Sequence, residues 1–313
     1  MSNYRDQLPQ SNGETLLTDG GLETTLIFEM GFDLPEFASF PLLETPEGRA
    51  ALREYYRRYV AVAQDRGMNV VLDTPTWRAS ADWGASLGYG ADALRSANTA
   101  AVDLLHEIRG EFEPTGTSVV ISGNVGPRGD GYTPGDQMTA DDAAAFHHAQ
   151  IRTFAEAGAD LTTALTMTYT NEAIGVATAA ASLNLPAVVS FTVETDGRLP
   201  TGQPLGDAIE EVDAATESSP LAFGINCAHP DHFTSTLVAG GDWVNRIGLV
   251  RANASRMSHD ELDNAQELDP GDARELGSQY AELKGLLPGP RVMGGCCGAD
   301  HSHIDEIGRA TAA

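Results

Sequence analysis

Residues 45–73 read TPEGRAALREYYRRYVAVAQDRGMNVVLD, and this stretch combines one complete helix with the strand that follows it. Thr45-Pro46-Glu47 supplies a helix N-cap, a proline at the first helical position and an early acidic residue. Apolar side chains then recur at helical spacing, at Leu52, Tyr56, Tyr59 and Ala63. Gly67 ends the helix, and residues 69–73 form a short apolar run that is typical of a buried strand.

The same helix-and-strand unit recurs along the chain. Thr139 is the predicted N-cap of a second helix that ends at Gly158. Candidate strands lie at residues 15–19, 69–73, 118–123, 160–165, 187–193, 222–226, 246–251 and 291–293. Strands that alternate with helices predict a parallel sheet, and eight such units in about 300 residues predict an α/β fold with a single (β/α)₈ barrel over residues 1–313. The acidic stretch 260–282 is interpreted as a long, partly helical connection between the last two strands.

Composition limits the class of protein and its partners. The 313 residues carry 45 acidic and 19 basic side chains, a formal net charge of −26, and Lys284 is the only lysine. Such a charge repels nucleic acid and anionic membranes, so small molecules are the expected ligands. The sequence has no apolar run of about 18 residues, and residues 1–13 lack the features of a signal peptide. We therefore expect a cytoplasmic protein whose thiols are reduced.

All three cysteines fall in two motifs, Gly224-Ile225-Asn226-Cys227 and Gly294-Gly295-Cys296-Cys297-Gly298. Three thiolates with an open fourth position are the pattern of a catalytic zinc site. A disulfide is disfavoured, because adjacent cysteines bridge only with strain and any bridge to Cys227 leaves an odd thiol. The remaining alternative is three small, buried apolar side chains.

The barrel prediction places these motifs together. Active sites of this fold form at the carboxyl ends of the strands. Each candidate motif follows a predicted strand, namely residues 19–21, 74–77, 123–127, Cys227 and the pair Cys296-Cys297. The loops after strands six and eight are therefore expected to reach one common ion.

Five motifs, taken in order from about residue 15 to residue 310, resemble those of the zinc-dependent homocysteine S-methyltransferase family. They are Asp19-Gly20-Gly21, Thr76-Trp77-Arg78-Ala79-Ser80, Gly123-Asn124-Val125-Gly126-Pro127, Gly224-Ile225-Asn226-Cys227 and Gly294-Gly295-Cys296-Cys297. The resemblance implies that Cys227, Cys296 and Cys297 bind zinc, which makes the homocysteine thiol a nucleophile toward a methylated cation. S-Methylmethionine is the first expected donor, S-adenosylmethionine the second and betaine the third.

The resemblance also implies roles for substrate-binding residues. Asp19 would lie near the substrate ammonium group or order the first loop, and its alternative role is that of a turn or helix-cap aspartate. Gly20 and Gly21 would let backbone N–H groups approach the substrate carboxylate. Thr76 would contribute a hydroxyl beside an aromatic wall, and Asn226 would orient the neighbouring cysteine.

Three positions depart from the family pattern. Where relatives read Gly-Thr after the first glycine pair, this chain has Glu23-Thr24. Many relatives carry a Glu-Thr pair after strand four, where this chain has Leu165-Thr166. Either Asp19 or Glu23 then supplies the counter-charge for the amine, or the true thiol substrate has no amino group. Arg251 stands where an aromatic residue is common, and we expect it to form a salt bridge with an acidic neighbour or to bind a carboxylate.

Other interpretations of the cysteines remain. A zinc hydrolase would use a bound hydroxide and a carboxylate base, but three thiolates make a poor Lewis acid. A barrel that only binds thiols or stores metal is a further alternative. Four histidines flank the motifs, and we expect them to be solvent-facing or helix-capping rather than ligands. They are His229, His232, His301 and His303.

Overall fold

Eight parallel strands form a closed barrel in the computed structural model, which describes residues 4–289 and 291–312. The strands are β1 (Thr15–Thr18), β2 (Val70–Asp73), β3 (Val119–Val125), β4 (Leu161–Met167), β5 (Ala187–Phe191), β6 (Ala222–Asn226), β7 (Ile247–Ala252) and β8 (Arg291–Gly295). Each strand pairs with its neighbours in sequence, and β1 pairs with β8 to close the barrel. The predicted (β/α)₈ barrel is thus confirmed. The main differences are that β3, β4 and β8 run two residues further than predicted and that β5 ends two residues earlier.

Helices lie between the strands. They are α1 (Leu22–Thr24), α2 (Pro46–Asp65), α3 (Ala81–Ser86), α4 (Ala91–Phe112), α5 (Ala140–Ala157), α6 (Thr170–Ser182), α7 (Leu205–Thr216), α8 (Pro230–Ala239), α9 (His259–Asp263), α10 (Ala273–Leu286) and α11 (His301–Thr311). Both predicted N-caps are confirmed, because Thr45 Oγ1 accepts the Gly48 N–H at 3.0 Å and Thr139 Oγ1 accepts the Asp142 N–H at 3.2 Å. Within residues 4–289 and 291–312, no helix is long and apolar enough to span a membrane.

The connection between β7 and β8 is only partly the helical surface that the sequence predicted. Leu276 and Tyr280 are buried in α10 as expected, but Leu268 lies outside any helix and is 36% exposed. Pro270 breaks the helical pattern because proline disfavours helical backbone at the residue before it. Asp272 then caps α10 by accepting the N–H groups of the first turn. The segment before α10 therefore crosses the barrel mouth as a loop.

Helix α2 fixes the ends of two strands. Its Tyr55 and Tyr56 side chains are fully buried. Tyr55 Oη donates to Asp19 Oδ2 at 3.0 Å and lies 2.9 Å from Gly20 O. Tyr56 Oη donates to the backbone carbonyl of Asp73 at 2.8 Å. The stretch that predicts the fold thus also holds the carboxyl ends of β1 and β2, where the site lies.

Closure of the barrel requires glycine at the end of β8. A Cβ atom on Gly294 would lie 2.2 Å from Thr18 Cγ2 and 2.9 Å from Asp19 O. Both atoms belong to the end of β1, and one of them is backbone, so the contact has little room to relax. Gly294 therefore allows the first and last strands to approach each other.

We expect Gly294→Ala to lower the free energy of unfolding by about 1–3 kcal/mol, because it overpacks the β1–β8 contact. Gly110→Ala is the matched control, since nothing lies within 4 Å of a Cβ atom at this helical position. The control should be neutral or slightly stabilising, because glycine in a helix costs roughly 0.5–1 kcal/mol relative to alanine. Urea unfolding of both variants makes the comparison, and equal stability would contradict the steric argument.

Candidate metal centre and substrate cavity

The three cysteine sulfurs converge at one end of the barrel. Cys227 follows β6, Cys296 and Cys297 follow β8, and all three Sγ atoms lie within 4.8 Å of one another. The Cα atoms of Cys227 and Cys296 lie 5.4 Å apart with their Sγ atoms in contact, and the Cys297 thiol lies beside them. The closed barrel thus brings the loops after β6 and β8 together, which is where the sequence predicted a common ion.

Cys227 has an unusual backbone conformation that its neighbours maintain. Its φ angle is 55°, in the left-handed region that non-glycine residues seldom adopt. The Cys227 N–H donates to Arg251 O at 3.1 Å. Its carbonyl accepts Asn253 Nδ2 at 3.0 Å and lies 2.9 Å from His259 Nε2. Both the N–H and the carbonyl of Cys227 are therefore hydrogen-bonded. These bonds fix the direction of its side chain.

Asn226 holds Thr166 on the facing strand, and the Thr166 hydroxyl donates to Cys227 Sγ at 4.0 Å. Asn226 Oδ1 accepts the Thr166 N–H at 2.9 Å, and its Nδ2 donates to Thr166 Oγ1 at 2.9 Å. Thr166 has a φ angle of 64°, a rare value for a β-branched residue. These two hydrogen bonds connect the carboxyl end of β4 to the carboxyl end of β6. Cys227 is the next residue after β6.

The loop after β8 is ordered by contacts with β7. The Cys296 N–H donates to Ala252 O at 2.8 Å, and the Ala254 N–H donates to Cys297 O at 3.1 Å. Gly298 then turns the chain with a φ angle of 78°. Both cysteines therefore sit in a loop with a defined backbone.

Tyr132 and His259 lie beside the cysteines, and neither was predicted from the sequence to belong to the site. Tyr132 Oη is 3.9 Å from Cys297 Sγ, and its ring stacks on the His259 ring with centroids 4.0 Å apart. Burial raises the pKa of Cys297 to about 11 and raises the pKa of Tyr132 well above its usual value. A Cys297 thiolate at neutral pH therefore needs a neighbouring positive charge. The available signal for Tyr132 was its place in the loop after β3, at the same end of the barrel.

Arg251 is the buried cation of the barrel mouth. Its Nη2 lies 3.0 Å from Asp19 Oδ1, and its Nη1 pairs with Asp73. It also donates to Gly20 O at 2.9 Å and to Gly295 O at 3.0 Å. Burial alone would lower the Arg251 pKa, but the two carboxylates raise it above the usual value. The predicted salt bridge to an acidic neighbour is confirmed, and it involves two carboxylates.

Three residues predicted to contact substrate make contacts within the protein, and for Asp19 these contacts order the first loop. Asp19 lines the cavity, but its carboxylate is occupied by Arg251, Thr18 Oγ1 at 2.9 Å and Tyr55. The Gly21 N–H donates to Ala299 O at 2.8 Å and is not available to a substrate carboxylate. Thr76 is fully buried behind the cavity wall, where its hydroxyl donates to Asn124 O at 2.8 Å. These groups hold the loops of the site together.

A cavity of about 420 Å³ opens above the thiols. It is lined by Cys227, Cys296, Cys297, Asp19, Gly20, Gly21 and Asn226. Aromatic side chains of Phe37, Trp77 and Tyr132 form part of its wall, and Leu165 also contributes. Acidic residues surround it, at Asp19, Glu23, Asp73, Asp130, Asp263, Glu267 and Asp269, against two cations, Arg78 and Arg251. The cavity therefore combines sulfur ligands, aromatic faces and an excess of carboxylates.

The histidines near the cysteines serve the fold. His229 is the N-cap of α8, and its Nδ1 accepts the Asp231 N–H at 3.2 Å. His303 takes part in the capping box of α11 with Asp300. In the part of the chain that the structure describes, no histidine joins the cluster of sulfur ligands. The predicted helix-capping role thus holds for His229 and His303. Burial lowers the pKa of His229 to about 4.

We expect Arg251→Met to lower the free energy of unfolding at pH 7 by about 3–5 kcal/mol, because it leaves two buried carboxylates without their cation. Burial already raises the Asp19 pKa, and loss of Arg251 should raise it further. The folded variant would then bind protons more readily than the unfolded chain, so its deficit should shrink as the pH falls toward 5. Urea unfolding at several pH values tests this. Arg152→Met, at a half-exposed surface arginine, should change stability by less than about 0.5 kcal/mol.

Comparison with known proteins supports the interpretation of these features. The chain matches the model of the homocysteine S-methyltransferase family over residues 16–311. Homocysteine S-methyltransferase YbgG of Bacillus subtilis is 22% identical over 285 residues, which cover 85% of this chain and 84% of that protein. Homocysteine S-methyltransferase of Escherichia coli is 24% identical over 303 residues, or 91% of each chain.

Solved structures show the same fold. The homocysteine methyltransferase MmuM from Escherichia coli in its oxidized form aligns with a TM-score of 0.77 at 20% identity, over 99% of this chain and 100% of that one. Its metallated form aligns with a TM-score of 0.73 at 21% identity, over 98% and 100% of the two chains. With a family match that spans nearly the whole barrel and the thiol cluster, this chain belongs to the homocysteine S-methyltransferase family.

Proposed function

We propose that this enzyme transfers a methyl group from a sulfonium donor to the sulfur of homocysteine, with a zinc ion held by Cys227, Cys296 and Cys297. The observation that carries the proposal is the convergence of three Sγ atoms within 4.8 Å on the wall of a cavity at the carboxyl end of the barrel. This is the end of the fold where catalytic residues are found.

The donor set fits zinc. Thiolates are soft ligands that select zinc among the common cellular cations, and three protein ligands leave a fourth position for substrate. The solved structures of MmuM include an oxidized form and a metallated form of that protein. In this chain, Cys227, Cys296 and Cys297 in their reduced, thiolate form would be the three protein ligands.

Bound zinc would stabilise the thiolate form of the substrate sulfur, as metal ions do for coordinating thiols. The sulfur lone pair then forms a bond to the methyl carbon as the carbon–sulfur bond of the donor breaks, and the electron pair of that bond stays on the leaving sulfide. The donor loses its positive charge and the substrate becomes a neutral thioether. No side chain has to accept a proton during this displacement.

The cavity wall suits a positively charged donor. Trp77 and Tyr132 offer aromatic faces, which attract methylated cations. Asp130, Asp263 and Asp269 add negative charge around the cavity. We rank S-methylmethionine first as the donor and S-adenosylmethionine second. The hydrolase alternative is weaker, because three thiolates donate too much charge for the ion to polarise a water molecule strongly.

One observation favours a second candidate substrate. Leu165 lines the cavity and is 6% exposed, so it places an apolar group where many relatives carry a carboxylate. A thiol that lacks an amino group, such as 4-mercaptobutyrate, would suit such a position. Methyl transfer to this thiol at least as efficient as transfer to homocysteine would favour this candidate.

We expect the reduced, zinc-supplemented protein to contain one zinc per chain and to form methionine from homocysteine and S-methylmethionine. Elemental analysis and a chromatographic assay for methionine test both points on the same sample. Zinc without methionine from any donor would contradict the proposed transfer and leave a thiol-binding metal site. If the reduced protein takes up no zinc, the metal site is contradicted and the three cysteines are best interpreted as small, buried apolar residues.

We expect Cys227→Ser, Cys296→Ser and Cys297→Ser each to lose zinc and methyl transfer while the barrel stays folded, because the ligands lie on loops outside the sheet. Elemental analysis and circular dichroism separate the two effects. The control is His229→Asn, since asparagine preserves a helix N-cap and His229 lies two residues from Cys227. This control should keep its zinc. Global unfolding of all three serine variants would instead identify a structural metal.

A further inference from the structure

Glu23 differs from the other carboxylates at the thiol end of the cavity. Asp19 and Asp73 are both paired with Arg251. Glu23 also lines the cavity, but in the described part of the chain it has no cation within 4 Å. Its Oε1 accepts the Ser39 hydroxyl at 2.8 Å, and this neutral contact does not balance its charge. Glu23 is therefore a cavity-facing carboxylate without a direct ion pair, and its interactions with Arg78 and Arg251 act only over a longer distance.

The segment that carries Glu23 is fixed beside the cysteine loop. Gly21 is bound to Ala299 through its N–H, and Thr24 Oγ1 accepts the Gly298 N–H at 3.2 Å. These contacts hold α1 against the loop that follows β8. A Cβ atom on Gly21 would lie 3.1 Å from Cys297 Cα, so the start of α1 lies directly against the cysteine loop. A ligand whose sulfur lies at the cysteines would have its other end within reach of Glu23.

A partly buried carboxylate without a cation is energetically unfavourable. Burial raises the Glu23 pKa, and only the Ser39 hydroxyl, the Glu23 backbone N–H and the more distant Arg251 oppose this effect. A ligand that brings a positive group into hydrogen-bonding contact would restore the balance. Asp19 cannot perform this role, because its oxygens are already bound to Arg251, Thr18 and Tyr55.

Resting on the proposed function, we infer that Glu23 binds the ammonium group of the thiol substrate and so makes the enzyme selective for an amino acid thiol. In this arrangement the ammonium group donates to the Glu23 carboxylate while the sulfur lies at the cysteine cluster. Leu165 then contacts the aliphatic part of the substrate, and its apolar character is compatible with homocysteine. The substrate class is a thiol with a protonated amine near the opposite end from its sulfur.

The test compares three thiols that differ only in their polar groups. Homocysteine carries an amine and a carboxylate, 3-mercaptopropylamine carries only the amine, and 4-mercaptobutyrate carries only the carboxylate. Glu23→Gln should raise KM, and thereby lower kcat/KM, by about 10- to 100-fold for the two amines, the range expected for a lost charge-assisted hydrogen bond. For 4-mercaptobutyrate, kcat/KM of the variant should differ from that of the wild type by less than about threefold. For the two amines, kcat should change less than KM.

Two controls define the outcome. Glu210→Gln removes an exposed carboxylate of α7 outside the cavity and should affect all three thiols by less than about threefold. Zinc content should be the same in the wild type and both variants. An equal loss on all three thiols, no loss on either amine, or a wild type that uses 4-mercaptobutyrate as well as homocysteine would each overturn the assignment of Glu23.

Failure of the proposed function gives a different result. In that case the zinc-loaded wild type methylates none of the three thiols with any donor. Calorimetric binding of homocysteine and 4-mercaptobutyrate to the zinc-loaded wild type and Glu23→Gln then tests Glu23 without catalysis. Tighter binding of homocysteine that is lost in the variant supports the role of Glu23, and equal binding by both proteins contradicts it.

Discussion

The buried ion cluster around Arg251 determines the geometry of the barrel mouth. The guanidinium group presents five donors in one rigid plane. From β7 they reach the carboxylates of Asp19 and Asp73, at the ends of β1 and β2, and the carbonyls of Gly20 and Gly295, at the ends of β1 and β8. Burial strengthens these contacts and makes the loss of any one partner costly. The first and last strands of the barrel are therefore fixed where the cysteine loop departs from β8.

A second constraint acts on the backbone. Thr166 and Cys227 both adopt left-handed conformations, each at a cost of order 1–3 kcal/mol. Asn226 offsets part of this cost by bonding both the N–H and the hydroxyl of Thr166. Asn253 and the Arg251 carbonyl do the same for Cys227. These bonds specify one direction for the Cys227 side chain. The strained backbone therefore points the Cys227 sulfur, just after β6, toward the sulfurs of the loop after β8.

The sequence predicts those parts of the structure that depend on local signals. Thr45 and Thr139 were recognisable as caps because the capping bond is formed within three residues. The meeting of the cysteines followed from one topological rule, that parallel strands of a barrel end on the same face. The sequence did not predict the partners of Asp19. Arg251 lies 232 residues away, and several other acidic residues could have paired with this arginine. The Tyr132 contact likewise depends on the path of a loop after β3, which no periodicity describes.

Charge balance connects these observations with substrate choice. Arg251 has a single positive charge and two carboxylate partners, so the interior of the mouth is already negative before the cysteines contribute. A further carboxylate at position 165 would add to this excess, whereas leucine does not. Glu23 lies outside this ion cluster. It accepts the Ser39 hydroxyl and lines the cavity, where its negative charge can contact a ligand. The proposed role of Glu23 thus places the counter-charge for the substrate amine on α1, apart from the buried arginine and its two carboxylates.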